Sequence, residues 1–396
     1  MKTEPKGWLA FDLADRHRRA FFVERESMRQ LAGWFLKSQA WELKHELGYR
    51  YFTDSEHADW LHDRLQNLRG GNPRASIEPG LMRAISANLN APSEAAFLRG
   101  LFLTIKPRLL AFYRQTMDHA DPSANAFDIR MVRRIIPELE EQISWAESVR
   151  VGTDDTQAES WAASIDALIE QAGGIDGQAD GSSAASASLP GEPFALPQEI
   201  VFDQRIGSEP IMGHEQKVQL PYEQALVEQF RVFFNEIYAA SILATVVHEA
   251  FDHDVPWSMI RWFSRHFWDE VRHSQFGAVR LQELGKQPDR CDQTLFKRAR
   301  QMPFMHRICY LTLVLEKHYM PRKKPRFEEY GNAGDLRSQL FADGDWSDEM
   351  NHVRNGRRWL ETLLEDDARD VSDIEDETTK LLERITGESV TTVSPF

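Results

Sequence analysis

An all-α fold is predicted for this chain: a four-helix bundle preceded by a second helical domain. Three observations predict it. Apolar residues recur three and four apart through long stretches, as at Phe22, Leu31, Trp34 and Phe35, then at Trp60, Leu61, Leu65 and Leu68. The interruptions carry helix breakers, at Gly70-Gly71-Asn72-Pro73, Asn90-Ala91-Pro92-Ser93 and Asp121-Pro122-Ser123. The second half carries two copies of Glu-x-x-His, a spacing that shares one face only on a helix.

Taken in order, residues 1–150 read as four helices separated by those loops. Residues 151–220 change character. Gly173-Gly174-Ile175-Asp176-Gly177 and Gly181-Ser182-Ser183-Ala184-Ala185-Ser186 have little power to form a core, so a flexible acidic linker is expected, with a polar lead-in from 196. Residues 221–370 form the second domain. Its first helix starts after Pro221 and runs to about Phe251. The second starts near Pro256, a favoured first-turn residue, and ends at Gly285, a favoured cap. The third runs from about Gln293 to Met320 and stops at Pro321, where Pro321-Arg322-Lys323-Lys324-Pro325-Arg326 reads as a solvated loop. Asp345 or Ser347 caps the fourth, which ends at Glu365-Asp366-Asp367. Residues 371–396 are a charged tail, with Leu381 and Leu382 available to dock one further helix.

The chemistry sits in those four helices. The Glu-x-x-His copies are Glu270 with His273 and Glu349 with His352. Each follows a solitary acid in apolar sequence, Glu236 by 34 residues to Glu270 and Glu316 by 33 to Glu349. Glutamate is almost never fully buried unless paired or bound to metal. The order Glu, Glu-x-x-His, Glu, Glu-x-x-His is the ligand set of a carboxylate-bridged two-metal site in a helix bundle. Four carboxylates would be prohibitive in a core without cations, and two divalent ions neutralise them. Carboxylates with imidazoles suit iron or manganese.

These residues resemble the ferritin-like di-iron carboxylate superfamily over roughly residues 220–367. The fourth segment, from Asp348-Glu349 through His352-Val353 and Gly356 to Trp359, also resembles an uncharacterised ferritin-like family whose helix reads Asp-Glu-x-x-His-Val-x-x-Gly-x-x-Trp. The resemblance implies two irons held by Glu236, Glu270, His273, Glu316, Glu349 and His352. It also implies that the acid before each motif glutamate, Asp269 or Asp348, holds the ligand histidine of the opposite half.

The first domain is either a degenerate copy of that bundle or an unrelated helical domain. In the copy, Asp54 falls on Glu270 and His57 on His273, while Leu139 and Gln142 replace a glutamate and a histidine. Its first helix offers no clear lone buried acid, so no metal is expected there. His266 lies four residues before Glu270 and is expected as a core histidine, with a third histidine ligand as the alternative. Cys309, Tyr238 and Tyr310 are expected as packing residues.

Composition narrows the function. A formal net charge of −15 argues against nucleic acid as the main partner. The longest apolar run, near 237–247, is too short to cross a bilayer. The N-terminus lacks a signal-peptide core and the two cysteines form no disulfide framework, so a cytoplasmic protein is expected. The expected function is a di-iron, or iron and manganese, oxidoreductase that activates dioxygen to oxidise a small organic substrate. No nucleotide-binding glycine motif is present, so electrons would come from a separate donor protein or a co-substrate. The rivals are ferroxidase or other iron-handling activity, and a metal-bound scaffold without turnover.

Overall fold

A computed structural model describes residues 6–149, 155–177, 191–201 and 203–387. It is all-α. Among the described residues the only strands are two dipeptides, β1 (Gly207–Ser208) and β2 (Arg290–Cys291), which pair in parallel. The chain divides into two compact units, Met1–Trp34 with Arg50–Ala195, and Phe35–Tyr49 with Leu196–Phe396.

Unit 1 takes most of α1 (Ala10–Lys37) and α2 (Trp41–Gln66), then α3 (Pro79–Ala87), α4 (Glu94–Gly100), α5 (Lys106–His119), α6 (Ala126–Ser148) and α7 (Thr156–Gln171). A π-helical turn, Leu101–Ile105, joins α4 to α5 without a break. Asp128 of α6 accepts from Arg64 of α2 at 2.7 and 2.9 Å and lies 2.8 Å from His17 of α1. That one buried carboxylate ties three helices together.

Helix α7 corrects the expected linker. Ala158, Trp161, Ile165 and Ile169 repeat at helical spacing and are buried, and Asp155 caps the first turn through Gln157 and Ala158. The Gly/Ser content that follows masked a short amphipathic helix. The Ser-Ala-Gly tract at 178–190 lies outside the described residues.

Unit 2 contains α8 (His214–Lys217), α9 (Tyr222–Asn235), α10 (Ile237–Glu249), α11 (Trp257–Glu283), α12 (Thr294–Ala299) and α13 (Phe304–Cys309). A π-helical stretch, Tyr310–Glu316, follows, then α14 (Lys317–Asn332), α15 (Leu336–Leu363) and α16 (Val371–Thr386). Helix α11 packs on α9, α10 and α15, and the π stretch packs on α15 and α16. Phe230, Phe233, Phe234, Phe263 and Phe267 fill the space between them, all essentially buried. Burying each such ring contributes about 1.5–3 kcal/mol.

Two glycines permit close approaches around these helices. A Cβ on Gly277 of α11 would lie 2.1 Å from the Phe234 backbone nitrogen. One on Gly356 of α15 would lie 2.4 Å from Thr312 in the π stretch. The Gly in the segment Asp348–Trp359 therefore has a packing reason, and Trp359 is itself buried.

Three boundaries differ from expectation, and the further helix expected in the tail forms. The first helix breaks at Glu236, between α9 and α10. Together these span Tyr222–Glu249, long and apolar enough by length and mean hydropathy to cross a membrane, and 94% of the apolar window is buried inside the protein. The third helix does not stop at Pro321 but runs through Pro321 and Pro325 to Asn332. Packing overrides the proline penalty, since Lys323 and Tyr330 are buried along this helix. The basic run is therefore helix, not loop. The fourth helix is capped by Asp335, whose carboxylate accepts from the Ser338 backbone, ten residues before the expected Asp345. Asp345 is turned inward instead. The tail forms α16, opened by a capping box between Asp370 and Asp373, with Leu382 buried.

Candidate metal centre

All six sequence-derived ligands converge inside unit 2. Glu236 stands at the α9–α10 joint with its side chain 15% exposed. Glu270 and His273 share the inner face of α11, and Glu349 and His352 that of α15. Glu316 is the last residue of the π stretch, an insertion that turns a side chain inward and recurs at functional sites.

Glu270 lies between two groups of donors. Its Oε1 is 3.3 Å from His352 Nδ1 and 3.4 Å from His266 Nε2, and Glu316 Oε1 is 2.9 Å from the same His266 nitrogen. Its Oε2 is 3.8 Å from His273 Nδ1, which is also 3.1 Å from Glu236 Oε2 and 3.8 Å from Asp345 Oδ1. One carboxylate thus offers one oxygen to each group. Among the described residues His266, Glu270, Glu316 and His352 could hold a metal ion, as could Glu236 with His273 and Asp345, and Glu270 with His273 and Glu349.

The outer nitrogens of both histidines are held crosswise. His352 Nε2 lies 3.3 Å from Asp269 on α11, and His273 Nε2 lies 3.3 Å from Asp348 on α15. Arg272 bridges the two aspartates. Each imidazole is thereby aimed with Nδ1 toward the carboxylates.

Seven buried atoms here find no hydrogen-bond partner: Glu236 Oε2, His266 Nδ1, Glu270 Oε1, His273 Nδ1, Glu316 Oε2, Glu349 Oε2 and His352 Nδ1. Buried polar atoms are normally satisfied, and a cluster of exceptions made of carboxylate oxygens and imidazole nitrogens could hold a cation. Without a cation, protons balance the charge. Burial pushes the Glu236 carboxyl up to about 7 against the pull of His273. It pushes Glu349 up to about 8, with Glu316, Asp345 and Glu270 adding to it and Lys323 opposing. Burial alone would lower His352, but Asp269 and Glu270 outweigh it and raise the ring to about 10.

Three participants were missed or undervalued. His266 is not a bystander. It contacts two ligand carboxylates, and its ring stacks on that of His352 at 3.6 Å. Asp345, fully buried, meets Lys323 Nζ at 2.8 Å through both oxygens, and Lys323 also lies 3.1 Å from Glu349. The signal was spacing: His266 and Asp345 each sit one turn before a motif glutamate, and Lys323 sits two turns after Glu316. Cys309 is buried packing against Thr378, as expected. Tyr238 meets the Cys291 thiol and Tyr310 the Arg298 guanidinium rather than a ligand.

A cavity adjoins the centre, with about 850 Å³ of empty space that is partly open to solvent. Glu236, Glu270, Glu316 and Glu349 reach its wall, and Val232, Ala239, Leu311 and Leu315 supply apolar surface.

In unit 1, Glu24, Asp54 and His57 also lie close enough to hold an ion. Glu24 on α1 is a buried acid that the sequence does not single out: Ala20 to Val23 before it are apolar, but the polar run Arg25 to Ser27 follows it. Here a fixed cation takes the central place. Lys106 Nζ donates to both oxygens of Asp54 at 2.8 and 2.7 Å, and Gln142 donates to the same carboxylate at 2.9 Å. His57 bridges Glu24 and Glu138.

No protein-family model, no curated protein and no solved structure matches this chain.

Proposed function

We propose that unit 2 is a ferritin-like four-helix bundle that holds two iron ions, with manganese as the alternative metal. It would act as an oxidoreductase that uses dioxygen to oxidise a small organic substrate in the adjoining cavity. The observation that carries this reading is Glu270, one oxygen facing His266, Glu316 and His352, the other facing His273 and Glu236. A shared carboxylate between two histidine-bearing groups suits two ions better than one.

Charge supports the same count. The acids that face the centre are Glu236, Glu270, Glu316, Glu349 and Asp345; Lys323 offsets Asp345, while Asp269 behind His352 pairs with Arg265 and Arg272. Four negative charges remain, which two divalent ions neutralise. When bound, ferrous ions supply the electrons with which dioxygen is reduced. The chain supplies the rest. Asp269 and Asp348 hold the imidazole orientations, Trp262 packs edge-on to His266 at 5.1 Å, and the phenylalanine core keeps water from the inner face. The cavity favours a substrate of organic character over iron itself.

The test is elemental analysis of protein produced with iron. About two metals per wild-type chain are expected, and clearly fewer in His273→Ala, His352→Ala and His266→Ala at preserved helical content. A metal-free wild type, or variants with unchanged metal, would defeat the proposal. Excess ferrous iron under air separates the rival: retention of many tens of irons per chain would mean storage.

A further inference from the structure

The helical basic run places its inner face on the cavity. Arg322 and Arg326 line it together with Lys217 and His214 from α8. The same four residues line an adjoining recess of about 730 Å³. The two arginines are half-buried, and neither has a hydrogen bond or ion pair among the described residues. Lys217 is buried, and its ammonium meets only the neutral Gln229 Oε1, at 2.9 Å. In a chain of net charge −15, three cations that face one cavity with no direct hydrogen bond or ion pair to an acid among the described residues are unusual; Glu228 acts on Lys217 only at longer range.

Resting on the proposed function, we infer that the substrate is an organic acid. Its carboxylate is received by Arg322, Arg326 and Lys217, and its carbon skeleton lies along Val232, Ala239, Leu311 and Leu315 toward Glu236 and Glu349. Guanidinium groups match carboxylates in a forked geometry, and in a partly desolvated cavity such contacts are strong. The electrostatics agree. Burial, with Arg326 and Arg322 nearby, presses the Lys217 amine down to about 7. A bound anion relieves that crowding. A wholly apolar substrate would leave these cations uncompensated beside it.

Calorimetric titration of the intact protein, metal-loaded and chelated, tests this with octanoate, 4-phenylbutanoate, octyl phosphate and octanol. At least one of the two carboxylates should bind saturably, and octanol more weakly. In Arg322→Gln/Arg326→Gln that carboxylate should lose about ten- to a hundredfold in affinity while octanol is unaffected. Lys217→Met should weaken the carboxylate too. The metal content of these variants should equal that of wild type, since none alters a ligand. No saturable binding of either carboxylate, equal binding of octanol, or carboxylate affinity untouched in the double variant would each overturn the inference. So would octyl phosphate binding more tightly than both carboxylates. Loss of metal from the wild type would instead sink the proposed function, and it is measured separately.

Discussion

Lys106→Met should destabilise unit 1 by an amount the structure bounds. Lys106 and Asp54 are both fully buried, and the ammonium donates to both carboxylate oxygens. Removing one partner of a buried ion pair strands the other, at a cost of about 3–5 kcal/mol. Burial already raises the Asp54 carboxyl, opposed chiefly by Lys106. In the variant Asp54 will take up a proton more readily, so the loss should shrink as pH falls. The double variant Lys106→Met/Asp54→Asn removes both charges and keeps the Gln142 contact within reach. It should recover most of the loss. Hydrogen exchange on peptides from α2, α5 and α6 is the right assay, because a chain of two units need not unfold in one step. A loss below about 1 kcal/mol in the single variant, or no recovery in the double, would refute the reasoning. So would a stoichiometric metal ion held by Asp54 and His57 in the wild type.

Two further predictions concern charge and packing. Burial alone would lower His57, but Glu24 and Glu138 raise it to about 9, above its ordinary 6.5. Its contribution to stability, at most roughly 3 kcal/mol, is present in full below pH 6.5 and lost as pH rises through 9. Urea unfolding at pH 6 and pH 10 should show this, and His57→Asn should flatten the difference; an equally steep variant would count against it. Gly356→Ala should cost about 1–3 kcal/mol and lower metal content, because the new Cβ strikes Thr312 in the stretch that presents Glu316. Gly344→Ala on the same helix meets only Phe276 at 3.8 Å and should be neutral or stabilising; equal melting temperatures for the two variants would contradict the packing argument.

The sequence exposed those parts of the site that repeat. Glu-x-x-His twice, with a lone acid before each, marked six residues that the structure brings together. The crossed contacts of Asp269 with His352 and Asp348 with His273 are those the family resemblance implies, with surface charge as the alternative reading of each acid. What stayed hidden has physical reasons. A π insertion changes which residues face inward, and no residue type announces it, so the path from Tyr310 through Pro321 to Asn332 was misjudged. Glu24 opens the polar run to Ser27 and looks like surface until His57 of α2 and Tyr113 of α5 meet it. In the sequence Lys323 reads as part of a solvated loop and Lys106 is not singled out, because a buried lysine is recognisable only beside its carboxylate.

Those two lysines explain why similar sets of buried groups point to different chemistry. In the Glu24–Asp54–His57 cluster of unit 1, the buried acids are Glu24 and Asp54, and the cations facing them are Lys106 and His57, whose ring is raised to about 9. The charges balance within the chain, and an added ion would have to displace a covalently attached one. In unit 2, five buried or nearly buried acids face one lysine. Protons on His273, His352 and the raised carboxyls make up the difference only at the cost of orphaned donors and acceptors. Ligands of that kind bind metal by releasing protons. On the proposed reading, the excess of acids over fixed cations, rather than the presence of acids alone, is what would favour metal in unit 2 over unit 1.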